Sequence, residues 1–398
     1  MLSVSDALNI MSKSVKILAS TETYSLKTSL GKVLAEDIFA SLDIPATDNS
    51  AVDGYALCYR EAKKNKFELP LSQRIVAGQK PNTLTPDTAA RIFTGGVLPK
   101  GADTVALQEH CYEHAGMISL DKKVIRGKNI RQKGQDIGCG EKILSKGLLL
   151  RPQDLGLLAS LGIDTVKTYK PLTIGFFTTG DELLQPGDKF KEGKIYDSNK
   201  VLLGNLISHL GMISVDLGVA PDNLNKTINL IKNVPDTVDI IISAGGVSVG
   251  DCDYVKAAID YLGEINFWRV SIKPGKPFLF GHAMNRPFMG LPGNTASVFV
   301  TFLILVMPFL FWSQGYHSFF HQTFKATSLF SREAGNRQIF HRAKVSKDGV
   351  QLHKNQSSGV LSSASWGNVL AIQHPHTTIN EGDLVDVIPF NSLTLGAI

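Results

Sequence analysis

The glycines Gly245, Gly246 and Gly250 and the hydroxyl of Ser248 form a Gly-Gly-x-Ser-x-Gly segment with the composition of a phosphate-binding loop. It follows an apolar run and precedes a predicted helix, so backbone N–H groups could approach a phosphate with no Cβ in the way. Taken alone the segment is a weak signal, because glycine loops after strands are often only tight turns.

Charged side chains accompany this loop. Glu182, Asp222 and Asp253 each follow a different β run, and Lys273 and Lys276 lie in a Lys-Pro-Gly-Lys-Pro segment. Carboxylate oxygens suit Mg²⁺, and the three carboxylates could hold that ion through water against phosphate oxygens. A structural alternative stays open: Asp222 could only cap the following helix, and the lysines could be solvated hairpin residues.

The alternation of β runs and helices in residues 171–314 indicates why these side chains should meet. Helices predicted at Asn199–Leu210, Asn223–Asn233 and Tyr254–Leu262 separate apolar β runs, a pattern that predicts right-handed crossovers and a mostly parallel sheet. Ligands of such sheets bind beyond the carboxyl ends of the strands. The loop, the carboxylates and the lysines therefore converge on one rim, which favours phosphoryl or nucleotidyl chemistry.

A second polar cluster lies outside this sheet. Asp53 belongs to the segment Asp-Asn-Ser-Ala-Val-Asp-Gly-Tyr at 48–55, and Thr94 lies at the tip of Arg-Ile-Phe-Thr-Gly-Gly. From spacing alone, a turn with an Asx cap is the simpler interpretation.

The remaining sequence predicts an α/β multidomain protein in four parts. Residues 1–42 and 131–170 form a mixed helical and β region, with helix-like runs at Leu30–Ile38 and Pro152–Leu161. Residues 43–130 form an inserted β-rich domain, 171–314 the parallel-sheet α/β domain, and 315–398 an all-β, barrel-like domain.

Composition narrows the class of protein. The chain of 398 residues carries a net charge of only +5, which suits a small anionic ligand and argues against a nucleic-acid partner. Its 4 cysteines form no C-x-x-C pair and the N-terminus has no secretory pattern, so a cytoplasmic location is expected. The apolar segment 296–312 is shorter than a membrane span and contains Pro308, so we predict a buried helix and no membrane association.

At these motifs the sequence resembles the MoeA-type molybdopterin molybdenumtransferases, the family that includes the E domain of gephyrin. The matching segments occur in the family's order and cover essentially the whole chain. They begin at Ala35-Glu36-Asp37 and continue through DNSAVDGYA, RIFTGG, RQKGQDI, TTGDEL, IYDSN, SAGGVSVGDCDY, IKPGKPFLFG, GLPGN and SSASWGN.

The resemblance implies an assembly and a reaction. It implies four subdomains, a homodimer, and a cleft formed by the α/β domain of one subunit and the 43–130 domain of the other. The implied substrates are adenylylated molybdopterin and molybdate, with Mg²⁺ as the cofactor and AMP as a product. The molybdopterin adenylyltransferase is the expected protein partner.

The resemblance also points to site residues. Positions linked to the family's active site are matched by Asp53, Thr94, Asp136, Glu182, Asp222, Asp253 and Lys273, and positions in the last domain by Arg342 and Ser358. We expect the glycine loop and both lysines to bind phosphate. Asp222 and Asp253 would hold the pterin or a metal, with Glu182 as a further metal ligand. Asp53, Thr94 and Glu182 would position the oxyanion and an attacking water.

Two departures from the family pattern affect the binding site. Arg269 stands where the family often has lysine, which replaces a compact ammonium by a planar fork. Thr295 stands where a second proline is common, so the loop after Pro292, where molybdate is expected, is less stiff.

Two other functions remain open at the level of sequence. A non-catalytic scaffold that binds a partner peptide would keep the same fold, but the acidic and lysine positions are intact. A generic nucleotide-binding or phosphatase protein would explain the α/β domain and leave both the 48–55 cluster and the last domain unexplained.

Overall fold

The computed structural model describes residues 1–121, 124–248, 253–316, 319 and 321–390. The chain forms two compact units. The first comprises Met1–Glu36, Lys146–Leu155 and Asp164–Ile398, and the second comprises Asp37–Ser145 and Gly156–Ile163. The four-part division with its exact boundaries stays a prediction.

A six-stranded sheet forms the centre of the first unit. Its strands follow the spatial order Ile213–Ala220, Thr173–Thr179, Ile240–Ala244, Arg286–Leu291, Leu279–Ala283 and Gly263–Trp268. The first four strands in this order are parallel to one another, whereas Leu279–Ala283 is antiparallel to both of its neighbours. The predicted mostly parallel sheet is confirmed.

The predicted helices cover this sheet. They span Ser198–His209, Leu224–Lys232 and Tyr254–Leu262. The first begins where the Asp197 side chain accepts a hydrogen bond from the Lys200 N–H, and the second where Asn223 accepts one from Lys226. All residues of the interior strand Ile240–Ala244 are buried, as expected for a parallel strand covered on both faces.

The apolar helix is part of the core. Thr295–Ser313 is long and apolar enough to cross a membrane, yet 89% of its most apolar stretch is buried inside the protein. It consists of the α-helical segments Thr295–Thr301 and Met307–Ser313 with a π-helical segment, Phe302–Val306, between them. The prediction of a buried helix is confirmed, since packing accounts for its composition.

The run 264–272 does not form one continuous strand. The strand Gly263–Trp268 ends at Arg269, whose φ of 75° lies in the left-handed region. The chain then continues into a short strand, Ile272–Lys273, which pairs in parallel with Gln338–Ile339 of the C-terminal sheet. Lys273 is therefore carried to the place where the α/β and C-terminal parts of this unit meet.

Within residues 321–390 the C-terminal part is β apart from one short helix, Ser362–Trp366, as expected for the predicted all-β domain. The sheet order is Ile272–Lys273, Gln338–Ser346, Val369–Gln373, Leu384–Pro389 and Phe324–Thr327. A further strand, Gly349–Leu352, pairs with Gln338–Ser346.

The N-terminal residues of the first unit are less helical than predicted. The helix Val4–Ser14 is capped by Ser3, and the strand Thr21–Ser25 pairs with Thr165–Tyr169. The helix predicted at Leu30–Ile38 is wrong. Gly31 has a φ of 71°, and Val33 and Leu34 form bridges with Leu149 and Thr168 instead. These β-branched and apolar residues are buried by strand-like pairing.

The second unit contains another six-stranded sheet. Its order is Thr104–Leu107, Gly54–Leu57, Ala89–Ile92, Glu68–Ile75, Met117–Leu120 and Cys111–His114. Short pairs join Asn49–Ser50 to Ile130–Arg131 and Ile38–Phe39 to Lys142–Leu144. The helix Tyr59–Lys64, which sequence reasoning missed, connects two strands of the sheet. The predicted helix beginning at Pro152 spans Pro152–Ser160.

Candidate functional site

The carboxyl ends of the parallel strands in the first unit surround a cavity of about 250 Å³. The predicted residues that line this rim cavity are Glu182, Asp222, Gly245, Gly246, Ser248, Asp253 and Pro292. The structure therefore brings together most of the predicted α/β site. Gly250 lies outside the described residues.

The glycine loop approaches its neighbours too closely for side chains. Gly245 has a φ of 99°, and a Cβ there would lie 2.5 Å from the Thr179 hydroxyl oxygen. Gly246 has a φ of 68°, and its Cβ would lie 2.5 Å from Val255 Cγ2. The Gly246 carbonyl accepts a hydrogen bond from the Val255 N–H at 3.1 Å, which fixes the turn into the helix. Local packing therefore requires these glycines, which is compatible with both a tight turn and a phosphate-binding loop.

Asp222 is positioned by the loop of a neighbouring strand. Its backbone N–H donates to Asp181 Oδ1, and the Asp181 N–H donates to Asp222 Oδ2, each at 3.3 Å. Asn223, and not Asp222, caps the following helix. The structural alternative for Asp222 is therefore wrong, and this carboxylate faces the rim cavity.

The acidic residues do not form a self-sufficient metal site. Among the described residues, no group of three His, Cys, Asp or Glu side chains could hold a metal ion. Glu182, Asp222 and Asp253 nevertheless line one cavity and offer oxygen ligands only. This donor set fits Mg²⁺, which commonly uses one or two carboxylates together with water and substrate phosphates.

A larger cavity of about 610 Å³ adjoins the rim cavity and shares Glu182, Ser248 and Pro292 with it. We call this the lysine cavity, since Lys273 and Lys276 line it. Lys273 belongs to a short strand that pairs with the C-terminal sheet, whereas Lys276 lies in the loop after that strand, and both side chains are exposed.

Several residues of the lysine cavity escaped sequence reasoning. They are Thr178, Asp197, Asn199, Asn294, Arg337, Gln356 and Ser357. The Asn199 amide nitrogen donates to the Gly293 carbonyl at 2.6 Å, while its buried Oδ1 atom has no hydrogen-bond partner in the structure. An unpartnered buried acceptor at a cavity wall is suited to a ligand donor. The segment Asp-Ser-Asn before a helix was the available signal.

Asp197 links this cavity to the central sheet. It is buried, and its Oδ2 atom accepts a hydrogen bond from the Thr178 hydroxyl at 2.6 Å. Its Oδ1 atom accepts one from the Lys200 N–H at 3.0 Å. The carboxylate thus holds the start of a helix against the end of a strand.

The substitution Thr178→Val tests this link. It keeps the side-chain shape and removes the buried donor, so we expect the free energy of unfolding to fall by about 1–3 kcal/mol. Urea denaturation measures the change. Thr165→Val, on an exposed strand position, is the matched control and should leave the free energy nearly unchanged. An unchanged midpoint for Thr178→Val would contradict the link.

A third cavity, of about 690 Å³, is lined mainly by residues of the C-terminal part and shares Lys273 with the lysine cavity. Arg342 lines it and is only 1% exposed. Its Nε atom donates to Ser363 Oγ at 3.0 Å and its Nη2 atom to the Ser357 carbonyl at 2.9 Å. Burial lowers the pKa of Arg342 to about 10, so the group is cationic at neutral pH.

Ser358 stands between the α/β and C-terminal parts of the first unit. Its hydroxyl accepts a hydrogen bond from the Asn294 amide at 3.0 Å, and its carbonyl accepts one from the Ala296 N–H, also at 3.0 Å. The start of the apolar helix is thereby tied to the C-terminal part, and Ser358 lines the lysine cavity.

The two departures from the family pattern lie in different settings. The guanidinium carbon of Arg269 packs 4.0 Å from the centre of the Trp268 ring, and Arg269 lines none of these cavities. The Thr295 hydroxyl lies 3.4 Å from the Ser198 hydroxyl and lines the lysine cavity. Of the two departures, only Thr295 borders the space where substrate would bind.

The second unit holds the other predicted cluster. Asp53 Oδ1 accepts hydrogen bonds from the Thr94 N–H at 2.8 Å and from the Thr94 hydroxyl at 2.7 Å. These bonds lower the pKa of Asp53, because they favour the ionised carboxylate. Asp136 is exposed on a turn, where its N–H donates to the Ile44 carbonyl at 2.9 Å. Asp53 and Thr94 thus form one group, fixed by hydrogen bonds.

Family models match the chain in three consecutive segments. Residues 2–162 match the "MoeA N-terminal region (domain I and II)" and residues 175–312 a "Probable molybdopterin binding domain". Residues 327–390 match the "MoeA C-terminal region (domain IV)".

Whole-chain comparisons agree with these matches. The molybdopterin molybdenumtransferase of Haemophilus influenzae is 34% identical, with 99% of this chain and 100% of that protein covered. The Nostoc molybdopterin molybdenumtransferase is 33% identical over 93% of this chain and 89% of that protein. The crystal structure of the molybdopterin biosynthesis moeA protein from Pyrococcus horikoshii superposes with a TM-score of 0.86 at 27% identity, covering 98% of this chain and 100% of that one.

Proposed function

This chain belongs to the MoeA family, and from that premise we propose that it is the transferase that inserts molybdenum into molybdopterin during cofactor biosynthesis. The observation that carries the proposal is the convergence of the glycine loop, three carboxylates and two lysines around adjoining cavities. Such a site suits a phosphate-bearing pterin and an oxyanion.

The proposed reaction starts from adenylylated molybdopterin and molybdate. The two dithiolene thiols bind molybdenum, and their protons leave with one oxide of molybdate as water. A second water attacks the pyrophosphate link, and AMP leaves while the phosphate stays on the pterin. The glycine loop, Lys273 and Lys276 bind phosphate, and Asp53, Thr94 and Glu182 position the oxyanion and the attacking water. Fixed positive charge at the transferring group is the largest expected contribution to the rate.

Molybdate as a substrate fits the C-terminal side of the site. Lys273 lines both the lysine cavity and the cavity that contains Arg342, and Ser358 lies on the lysine cavity. Guanidinium and ammonium groups bind tetrahedral oxyanions through charge-assisted hydrogen bonds. We place the oxyanion near these three residues, with Pro292 shaping the α/β wall.

Mg²⁺ is part of the proposal. Glu182, Asp222 and Asp253 would hold the ion, and Asp222 and Asp253 could also contact the pterin. Bound there, Mg²⁺ would neutralise charge on the phosphate oxygens. Carboxylates that held the ion together with substrate phosphates would not need to form a closed cluster in the free protein.

Substitution of Asp222 tests the metal assignment. We expect Asp222→Asn to raise the Mg²⁺ concentration for half-maximal turnover at least about tenfold, because one anionic ligand is lost. Turnover measured against Mg²⁺ concentration gives this value. Asp216→Asn, on the preceding strand and outside the cavities, is the control and should leave it unchanged. Equal Mg²⁺ requirements in wild type and Asp222→Asn would remove Asp222 from the metal ligands.

We further propose a homodimer that works in the cytoplasm and receives its substrate from the molybdopterin adenylyltransferase. The polar clusters of the two units are distant in sequence, and dimerisation of the family type would let both act on one substrate. Equilibrium sedimentation of the purified protein tests the dimer.

Reconstitution of a molybdoenzyme tests the function. The purified protein would be incubated with adenylylated molybdopterin, Mg²⁺ and molybdate, and the products added to a molybdoenzyme apoprotein. We expect enzyme activity to appear only when this chain is present. Tight binding of the pterin with no reconstitution would instead identify a binding or scaffold protein.

A further inference from the structure

Two arginines are held side by side on the sheet of the second unit. Arg74 on strand Glu68–Ile75 is the direct partner of Arg91 on the parallel strand Ala89–Ile92. Like charges that face each other across neighbouring strands destabilise a sheet. The two positive charges at these paired positions therefore repel each other unless solvent or a bound anion screens them, and Arg74 is exposed.

Aromatic rings fix both guanidinium groups. The guanidinium carbons of Arg74 and Arg91 each lie 4.8 Å from the centre of the Phe93 ring, and that of Arg91 lies 4.9 Å from the Tyr55 ring. The Arg91 Nη2 atom also donates to the Gln108 side chain at 2.5 Å. The Arg91 Nη1 atom donates to the Gly54 carbonyl at 3.4 Å. Stacking and these neutral acceptors orient the arginines without neutralising their charge.

Among the described residues, carboxylates lie near this pair without forming an ion pair with it. The ion pairs that the described part of the chain forms include neither arginine. Glu109 and Glu113 line the same open groove of about 820 Å³, and the Glu113 carboxylate accepts the Tyr55 hydroxyl hydrogen at 2.7 Å. A dianionic group bound in this groove could accept charge-assisted hydrogen bonds from both arginines at once.

The groove adjoins the Asp53 and Thr94 group. Thr94 directly follows Phe93, the Gln108 N–H donates to the Asp53 carbonyl at 3.2 Å, and Arg91 helps to lower the pKa of Asp53. An anion held by the two arginines would thus lie beside the carboxylate that is proposed to orient water.

We propose that Arg74 and Arg91 form a phosphate-binding pair that holds the AMP portion of the adenylylated substrate. This assignment rests on the proposed function for the identity of the substrate, while the phosphate-binding chemistry follows from the groove itself. The pair binds the nucleotide phosphate through guanidinium edges, and Phe93 and Tyr55 keep those edges in place. Arg74 and Arg91 are thus nucleotide-binding residues.

Binding of AMP to the full-length protein tests the pair directly. Isothermal titration would compare wild type with Arg74→Gln and Arg91→Gln, and we expect each substitution to weaken AMP binding about tenfold or more, the loss of one charge-assisted bond pair. Arg60→Gln, an exposed arginine on the helix Tyr59–Lys64, removes the same charge and should bind AMP as wild type does. Arg91→Lys keeps the charge and should retain part of the affinity, and thermal unfolding checks that every variant is folded.

The outcomes separate this proposal from the proposed function. Weaker AMP binding in both folded glutamine variants and not in Arg60→Gln supports the pair, even if the protein proves inactive in molybdenum insertion. AMP affinities that match wild type in Arg74→Gln and Arg91→Gln overturn it, even if the protein is an active transferase. A loss as large in Arg60→Gln would show a general charge effect and would also overturn it.

Discussion

Replacement of Asp53 by asparagine is expected to lower the rate of AMP release and molybdenum insertion by roughly 10²–10⁴-fold. The N–H and the hydroxyl of Thr94 both donate hydrogen bonds to Asp53 Oδ1, and these bonds keep the carboxylate ionised and oriented. Asparagine has nearly the same shape, but it has no charge with which to orient water or accept its proton. Single-turnover kinetics with a folded Asp53→Asn protein measures the effect.

Substitution of Thr94 tests the same site and is expected to have a smaller effect. Thr94→Val removes one donor, so the pKa of Asp53 should rise toward its ordinary value and the acid limb of the rate profile should move to higher pH. At neutral pH the carboxylate stays ionised, so Thr94→Val should lose much less activity than Asp53→Asn. Asp87→Asn, at a half-buried turn with a φ of 57° that asparagine tolerates, removes the same charge away from Asp53 and is the control. Full turnover by Asp53→Asn would exclude Asp53 from catalysis.

Replacement of Lys273 by methionine is expected to have the second large effect, a loss of roughly 10²–10³-fold in turnover. Lys273 lines both the lysine cavity and the cavity that contains Arg342, so its ammonium group can contact both the phosphate and the oxyanion. Methionine keeps much of the length and removes the charge. The loss should appear in the rate at saturating pterin as well as in molybdate affinity.

Substitutions of two further lysines serve as a comparison and a control for this result. Lys276 lines only the lysine cavity among these spaces, so Lys276→Met should lose less activity than Lys273→Met. Lys226→Met, on the exposed face of the helix Leu224–Lys232, should behave as wild type. If all three substitutions reduce turnover equally, the effect is one of net charge and the assignment of Lys273 is wrong.

Sequence reasoning succeeded where a signal is local. The alternation of β runs and helices predicted the parallel sheet, and the glycines of the loop occupy positions where a Cβ would clash. The same local logic failed at Leu30–Ile38, because Val33 and Leu34 are held by bridges to Leu149 and Thr168 rather than by helical contacts. Tertiary pairing overrode the apparent helical period there.

The missing part of the site comes from long-range contacts. Arg337, Gln356 and Ser357 reach the lysine cavity from loops of the C-terminal part. The sheet of this part is joined to the α/β part by the pairing of Ile272–Lys273 with Gln338–Ile339. Local composition gives no sign of that pairing, since Arg269 ends what reads as one continuous strand. The opposed arginines of the second unit likewise become visible only once the strand register is known.

The most direct test of the central claim is a single-turnover incubation of the purified protein with adenylylated molybdopterin and Mg²⁺, with and without molybdate. The measured quantity is AMP released per active site. We predict release that depends on molybdate and coincides with formation of cofactor able to activate a molybdoenzyme apoprotein. Stable binding of the adenylylated pterin, with no AMP released on addition of molybdate, would contradict the assignment of this chain as a molybdenum-inserting transferase.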